Sequence, residues 1–147
     1  LTRLAASKRP YLRAETMLVL GAIEDSRAVD LLIAGLSDPE SDVRGAAADG
    51  LGQQRAPEGI KPLIRLVARG DAVSVKAIRA LGAIGDARAA LVLERQLDSD
   101  NPVVRRYACE ALENIGHSSA RDGLLGKLDD PDAMVRYTAS RALGRME

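Results

Sequence analysis

Apolar residues recur along this chain in one fixed helical phase. Around a recurring Leu, mostly apolar or small side chains fall eight, four and three positions before it and three after it, the spacing of one face of an α-helix. That Leu occurs as Leu20, Leu51, Leu81, Leu112 and Leu143, at intervals of 31, 30, 31 and 31 residues. Eight positions earlier stand Leu12, Val43, Val73, Val104 and Val135. Four and three positions earlier the residues are mostly small: Thr16-Met17, Ala47-Ala48, Ala77-Ile78, Ala108-Cys109 and Ala139-Ser140. Each copy is predicted to be an amphipathic helix with a narrow waist that a neighbouring helix approaches closely. Gly follows the Leu in four copies, and Glu113 stands there in the fourth. A constant period of about 30 residues predicts a stacked array of repeats.

Between these helices the leucine spacing predicts a second one, over residues 28–36, 58–67, 89–97 and 120–128. The turns leading into it carry Asp25-Ser26, Ala56-Pro57, Asp86 and His117-Ser118-Ser119, residues that supply a capping oxygen or a proline at the first turn. The turns leading out, 37–42, 68–72, 98–102 and 129–133, combine Asp with Pro or Gly, which ends one helix and starts the next. The second repeat is one residue short, and the deletion fits either of its turns. Leu1 to Ser7 reads as the tail of a helix. The chain is thus predicted to be all-α: one solenoid over residues 1–147 with five helix pairs, the first incomplete, and a piece of a longer array.

Composition narrows the function classes. The 147 residues are 46% hydrophobic and 29% charged, a balance that supports a packed fold, but only 2% are aromatic, with no Phe or Trp. Twenty-one basic and 21 acidic residues give no net charge, so no chain-wide field draws nucleic acid or an acidic membrane. The single Cys109 excludes an internal disulfide and fits a reducing cytoplasm. No apolar run approaches the ~20 residues that cross a bilayer. One His excludes a His-rich metal site. The expectation is a cytoplasmic protein with no cofactor and no metal.

The elements Asp-Pro, Val-Arg and Ala-Ala-x-Ala-Leu-Gly-x-Ile-Gly-Asp together resemble the HEAT-like repeat of the phycobilisome lyase type. The resemblance covers nearly the whole chain. It implies a right-handed α-α superhelix in which the helix carrying Val-Arg is the second of each pair and lines the concave groove. It also implies one activity, that of a bilin lyase subunit or chromophore-handling protein. Ser74 breaks the family's Arg row, Gln53-Gln54 replaces x-Ile, and Glu113 replaces Gly, so the middle copies are expected to stack less regularly.

Few residues carry catalytic chemistry. His117 shares the register of Asp25 and Asp86 and reads as a turn residue at a helix start. Cys109 sits on the buried stripe. Arg13, Arg44, Arg105 and Arg136 form a row beside acidic turns; the structural reading, in which each guanidinium ties its own turn to the next, outweighs an anion ladder. The remaining positions, six, five and two before the Leu and two after it, face away from the stripe, and the resemblance makes them groove positions. In the last three copies they include Lys76, Arg79, Arg106, Tyr107, Glu110, Asn114, Tyr137, Thr138, Arg141 and Arg145, rich in the Arg and Tyr that dominate binding hot spots. On these grounds the chain reads as a non-enzymatic protein-interaction scaffold. Its partner site is Lys76, Arg79, Arg106, Tyr107, Glu110, Asn114, Tyr137, Arg141 and Arg145, gripping an acidic or extended partner segment. Nucleic acid is disfavoured by the zero net charge, as for any groove that must meet many phosphates. Open solenoid ends offer a route to self-association.

Overall fold

Leu20, Leu51, Leu81 and Leu112 are each 2% exposed or less, and the helices that carry them stack in chain order. The computed structural model describes residues 1–70 and 72–146, and among these it is wholly helical. Asp71, read from sequence as part of the 68–72 turn, lies outside the described residues. A four-residue α1 (Thr2–Ala5) precedes α2 (Pro10–Gly21). The pairs α3 (Ser26–Gly35) with α4 (Ser41–Gln53) and α5 (Ile60–Ala68) with α6 (Ser74–Ile84) follow. Then come α7 (Ala90–Gln96) with α8 (Pro102–Ile115) and α9 (Ala120–Gly126) with α10 (Ala133–Arg145). The even-numbered helices form one layer and the odd-numbered the other, around a single continuous core. This is the predicted all-α solenoid.

Close stacking of the even layer depends on the Gly after Leu20, Leu51 and Leu81. A Cβ at Gly82 would lie 2.7 Å from Ala111 Cα, and one at Gly21 would lie 2.7 Å from Gly50 Cα. Backbone therefore meets backbone, and any side chain there would push two helices apart.

Helix starts are capped as their residues dictate. Asp25 and Asp86 accept from the backbone N–H groups of Arg27 and Arg88, each at 2.8 Å, and Asn101 accepts from Val103 N–H at 2.9 Å. His117 occupies the same register, its Nδ1 lying 3.3 Å from Ser119 N, so it is a turn residue as read. Four residues after the Leu, Gly85 and Gly116 take the left-handed conformation at φ 74° and 64°, and Arg55 does so in the second repeat at φ 49°. With that turn in register, the missing residue falls in the other turn: Val67 to Val73 spans one residue fewer than Leu36 to Val43, Leu97 to Val104 or Leu128 to Val135.

The Arg row is structural. Arg13 donates from Nε and Nη2 to both oxygens of Asp38 at 2.7 and 2.8 Å, and from Nη1 to the Ser7 carbonyl at 2.8 Å. Arg105 repeats this on Asp130 (2.8 and 2.8 Å) and the Ser99 carbonyl (2.8 Å). Each fork joins its own turn to the turn of the next repeat, 25 residues on. Arg44 and Arg136 reach the carbonyls of Asp38 with Pro39 and of Asp130 with Pro131. In the third repeat Ser74 stands where Arg13 and Arg105 stand, and Ser99, 25 residues later, stands where their Asp partners do. The Ser74 hydroxyl is buried and, among the described residues, has no partner.

These pairs set a pH dependence. The Arg13 and Arg105 side chains hold the carboxyls of Asp38 and Asp130 below the usual range, and Arg27 and Arg88 bring Asp25 and Asp86 down to about 2. A carboxyl that titrates lower folded than unfolded stabilises the fold fully above its unfolded value, near 4, and loses that contribution as pH falls through the folded value. The melting midpoint is therefore expected to be level from about pH 8 to 5 and to fall steadily toward pH 2. A midpoint that rose on acidification would contradict this assignment.

Candidate functional site

The even-numbered helices present a cleft of about 450 Å³ that crosses three of them. From α4 come Asp49, Gly52 and Gln53; from α6, Arg79, Ala80, Gly82 and Ala83; from α8, Tyr107, Glu110, Ala111 and Asn114. The same helical positions recur in each repeat because one turn of helix separates the residue two before the Leu from the residue two after it. The floor is built from Gly and Ala, the small residues that close stacking already demands. Polar side chains rise from the walls.

The structure sorts the predicted partner residues into two groups. Arg79, Tyr107, Glu110 and Asn114 meet in the cleft, and Arg106 joins them through Tyr107. The Arg106 guanidinium carbon lies over the Tyr107 ring at 4.6 Å from its centroid, and that of Arg79 at 5.6 Å. Lys76 is drawn off to Asp49, with Nζ donating to Oδ2 at 2.9 Å, and its stem covers Gly45. Arg141 and Arg145 lie away from the cleft on α10, where both close on Glu113. Arg141 donates from Nε and Nη2 to Oε2 at 3.0 and 2.9 Å, and Arg145 Nη1 lies 2.6 Å from Oε1. Tyr137, on the same helix, is exposed and outside the cleft.

Three features escaped the sequence reading. Glu113 looked like a missing glycine, whereas its buried carboxylate is the anchor of two arginines. Asp49 and Gln53 are not among them: they stand at the groove positions two before and two after Leu51, and they line the cleft as that register predicts. Thr138, placed on the groove, is buried and donates to the Met134 carbonyl at 2.7 Å. Gln54, expected to disturb stacking, instead donates to the Leu20 carbonyl of the neighbouring helix at 2.7 Å.

The expected groove is therefore much less cationic in its effect than its residue count. Lys76, Arg141 and Arg145 each have a carboxylate within 3.0 Å. Cys109 is fully buried, and desolvation pushes its thiol up to about 11, so it is protonated at neutral pH and is no nucleophile. His117 sits at the turn into α9, where its Nδ1 is 2.8 Å from Ser119 Oγ; that hydroxyl donates to Glu94 at 2.6 Å. Neither Cys109 nor His117 lines the cleft. Among the described residues, no His, Cys, Asp or Glu cluster is arranged to hold a metal, and no helix is long and apolar enough to cross a membrane. What the cleft offers is recognition: the Arg79 guanidinium with that of Arg106 beside it on Tyr107, one phenol, the Glu110 carboxylate, without a cation within 4.0 Å among the described residues, and two amides over a smooth floor.

A family model described as HEAT repeats matches residues 1–76, 33–105 and 91–147, which together span the chain. The uncharacterized phycocyanin operon protein Z of Pseudanabaena tenuis (strain PCC 7409) is 28% identical over 146 residues, covering 92% of this chain and 72% of that protein. The structure of the complex of CpcE and CpcF of phycocyanin lyase from Nostoc sp. PCC7120 is similar with a TM-score of 0.88 at 27% identity, over 98% of this chain. This chain spans 62% of that one. A designed armadillo repeat protein is similar in fold, with a TM-score of 0.70 at 18% identity over 99% of this chain and 80% of its own.

Proposed function

We propose, from the premise that this chain belongs to the HEAT-repeat family, that it is a chromophore-handling subunit of the bilin-lyase type. It binds a bilin in the cleft over α4, α6 and α8 and works with a second HEAT-repeat chain. The similarity to the phycocyanin lyase complex over nearly the full length supports this reading more than it supports a generic scaffold. The observation that carries it is the cleft itself. A smooth Gly and Ala floor suits the flat face of a conjugated tetrapyrrole, and the polar rim suits its edge.

The part this chain takes in such a reaction is to bind and orient. With Cys109 buried and protonated, the thiol that forms a thioether bond to the bilin belongs to the acceptor protein. Glu110 and Tyr107 are the groups in the cleft placed to exchange protons or hydrogen bonds with a bound bilin. Orientation alone is a large effect when it turns an encounter between two molecules into a reaction within one complex.

Adding a bilin to the purified protein is expected to shift and sharpen its visible absorption. Adding the acceptor apoprotein and the second subunit is then expected to give a covalent adduct that survives a denaturing gel. No spectral change with the bilin, with or without the second subunit, would overturn the reading.

A further inference from the structure

Arg79 and Arg106 stand out among the arginines and lysines of the cleft face. Lys76 is paired with Asp49, and Arg141 and Arg145 share Glu113. Arg79 and Arg106 come from two different helices, α6 and α8, and converge on one ring, that of Tyr107. Among the described residues, neither has a carboxylate within 4.0 Å. Two like charges held against one aromatic ring repel each other, and the ring's attraction for each cation offsets that repulsion only in part. A carboxylate resting against each guanidinium offsets the repulsion and gains planar, two-pronged hydrogen bonds.

From this arrangement we infer that the Arg79–Tyr107–Arg106 stack is a carboxylate-binding clamp, and that it takes the two propionate side chains of a tetrapyrrole. The site follows from the geometry; the identity of its ligand rests on the bilin reading above. Glu110 lies one helical turn beyond Arg106 on α8 and lines the same cleft, with no cation within 4.0 Å among the described residues. A ligand that is only an anion would be repelled by it. A linear tetrapyrrole carries carboxylates on one edge and N–H donors on another, so its propionates match the arginines while its N–H groups match Glu110. The cleft thus reads charge in two places.

The test uses the full chain and two probes, biliverdin and its dimethyl ester, which share the conjugated system and differ in the propionates. Binding is followed by visible absorption and induced circular dichroism. The free acid is expected to bind at least about tenfold more tightly than the ester, the size of a lost charge-assisted pair. Arg79→Gln and Arg106→Gln, each checked for unchanged helical circular dichroism, are each expected to weaken the acid about five- to tenfold and to leave the ester unaffected. Equal binding of acid and ester, unchanged in both variants, would overturn the clamp while the bilin reading stands. If neither probe binds, the bilin reading falls, and the clamp is judged with glutarate, a dicarboxylate without the ring system. The Nε–H resonances of Arg79 and Arg106 moving together on adding glutarate would support it, and resonances that stay in place would overturn it.

Discussion

Replacing Arg105 with Ala is expected to cost about 3–5 kcal/mol of folding stability, the size of effect seen when one partner of a buried ion pair is removed. The Asp130 side chain is 3% exposed, and both its oxygens are held by the Arg105 fork. Deleting the fork leaves a carboxylate with little access to water and, among the described residues, only the Asp132 N–H donating to it. It also releases the Ser99 and Asp100 carbonyls that Nη1 ties to α8. The equivalent Arg13→Ala change is expected to cost less, because Asp38 is 11% exposed and can recover some hydration. Urea unfolding of the two variants against the parent measures both. A loss below about 1 kcal/mol for Arg105→Ala, the range of exposed pairs, would show that the bridge is solvated and not structural.

Leu112→Ala is expected to cost about 2–5 kcal/mol, through lost burial and the cavity left behind. Leu112 has no exposed surface and lies between Ala108 and Cys109 on one side of its helical stripe and Ile115 on the other. On the α6 side the helices are held at backbone contact by Gly82 against Ala111, so little collapse into the vacancy is open there. Leu143→Ala, at the same register but only partly buried, is the internal comparison and is expected to cost clearly less. Equal losses at the two positions would mean that register, and not burial, sets the cost.

The parts of this fold that were legible in the sequence are those that repeat. The phase of Leu20, Leu51, Leu81 and Leu112 is a property of one helix at a time, and it fixes which side is buried without reference to any neighbour. The Arg row was legible for a related reason, since each Arg recurs at a constant distance from an acidic turn. Glu113 was illegible because its meaning lies in a partner 28 residues away: the local signal was a lost glycine, and the compensation is Arg141. The same holds for Lys76 with Asp49, 27 residues apart. Counting groove residues by sign treated each charge as free, whereas stacking brings opposite charges of adjacent repeats to hydrogen-bond distance. Thr138 failed differently. A helical wheel places it on the groove side, but a short hydroxyl side chain folded back on the Met134 carbonyl allows it to be covered.

The junction marked by Ser74 and Ser99 has a mechanical consequence. In a linear array each repeat touches only its neighbours, so total stability is close to a sum of unit and interface contributions. Two junctions carry an arginine fork and this one carries a pair of serines, one with a buried hydroxyl that has no partner among the described residues. It is expected to be softer than the two forked junctions, and it lies between α6 and α8, beneath two of the three helices that form the cleft. Bending there changes the width of the cleft while the helices on either side keep their shape. A spring with one compliant coil opens at that coil, and hydrogen exchange should find the amides around 74 and 99 opening ahead of those around the forks.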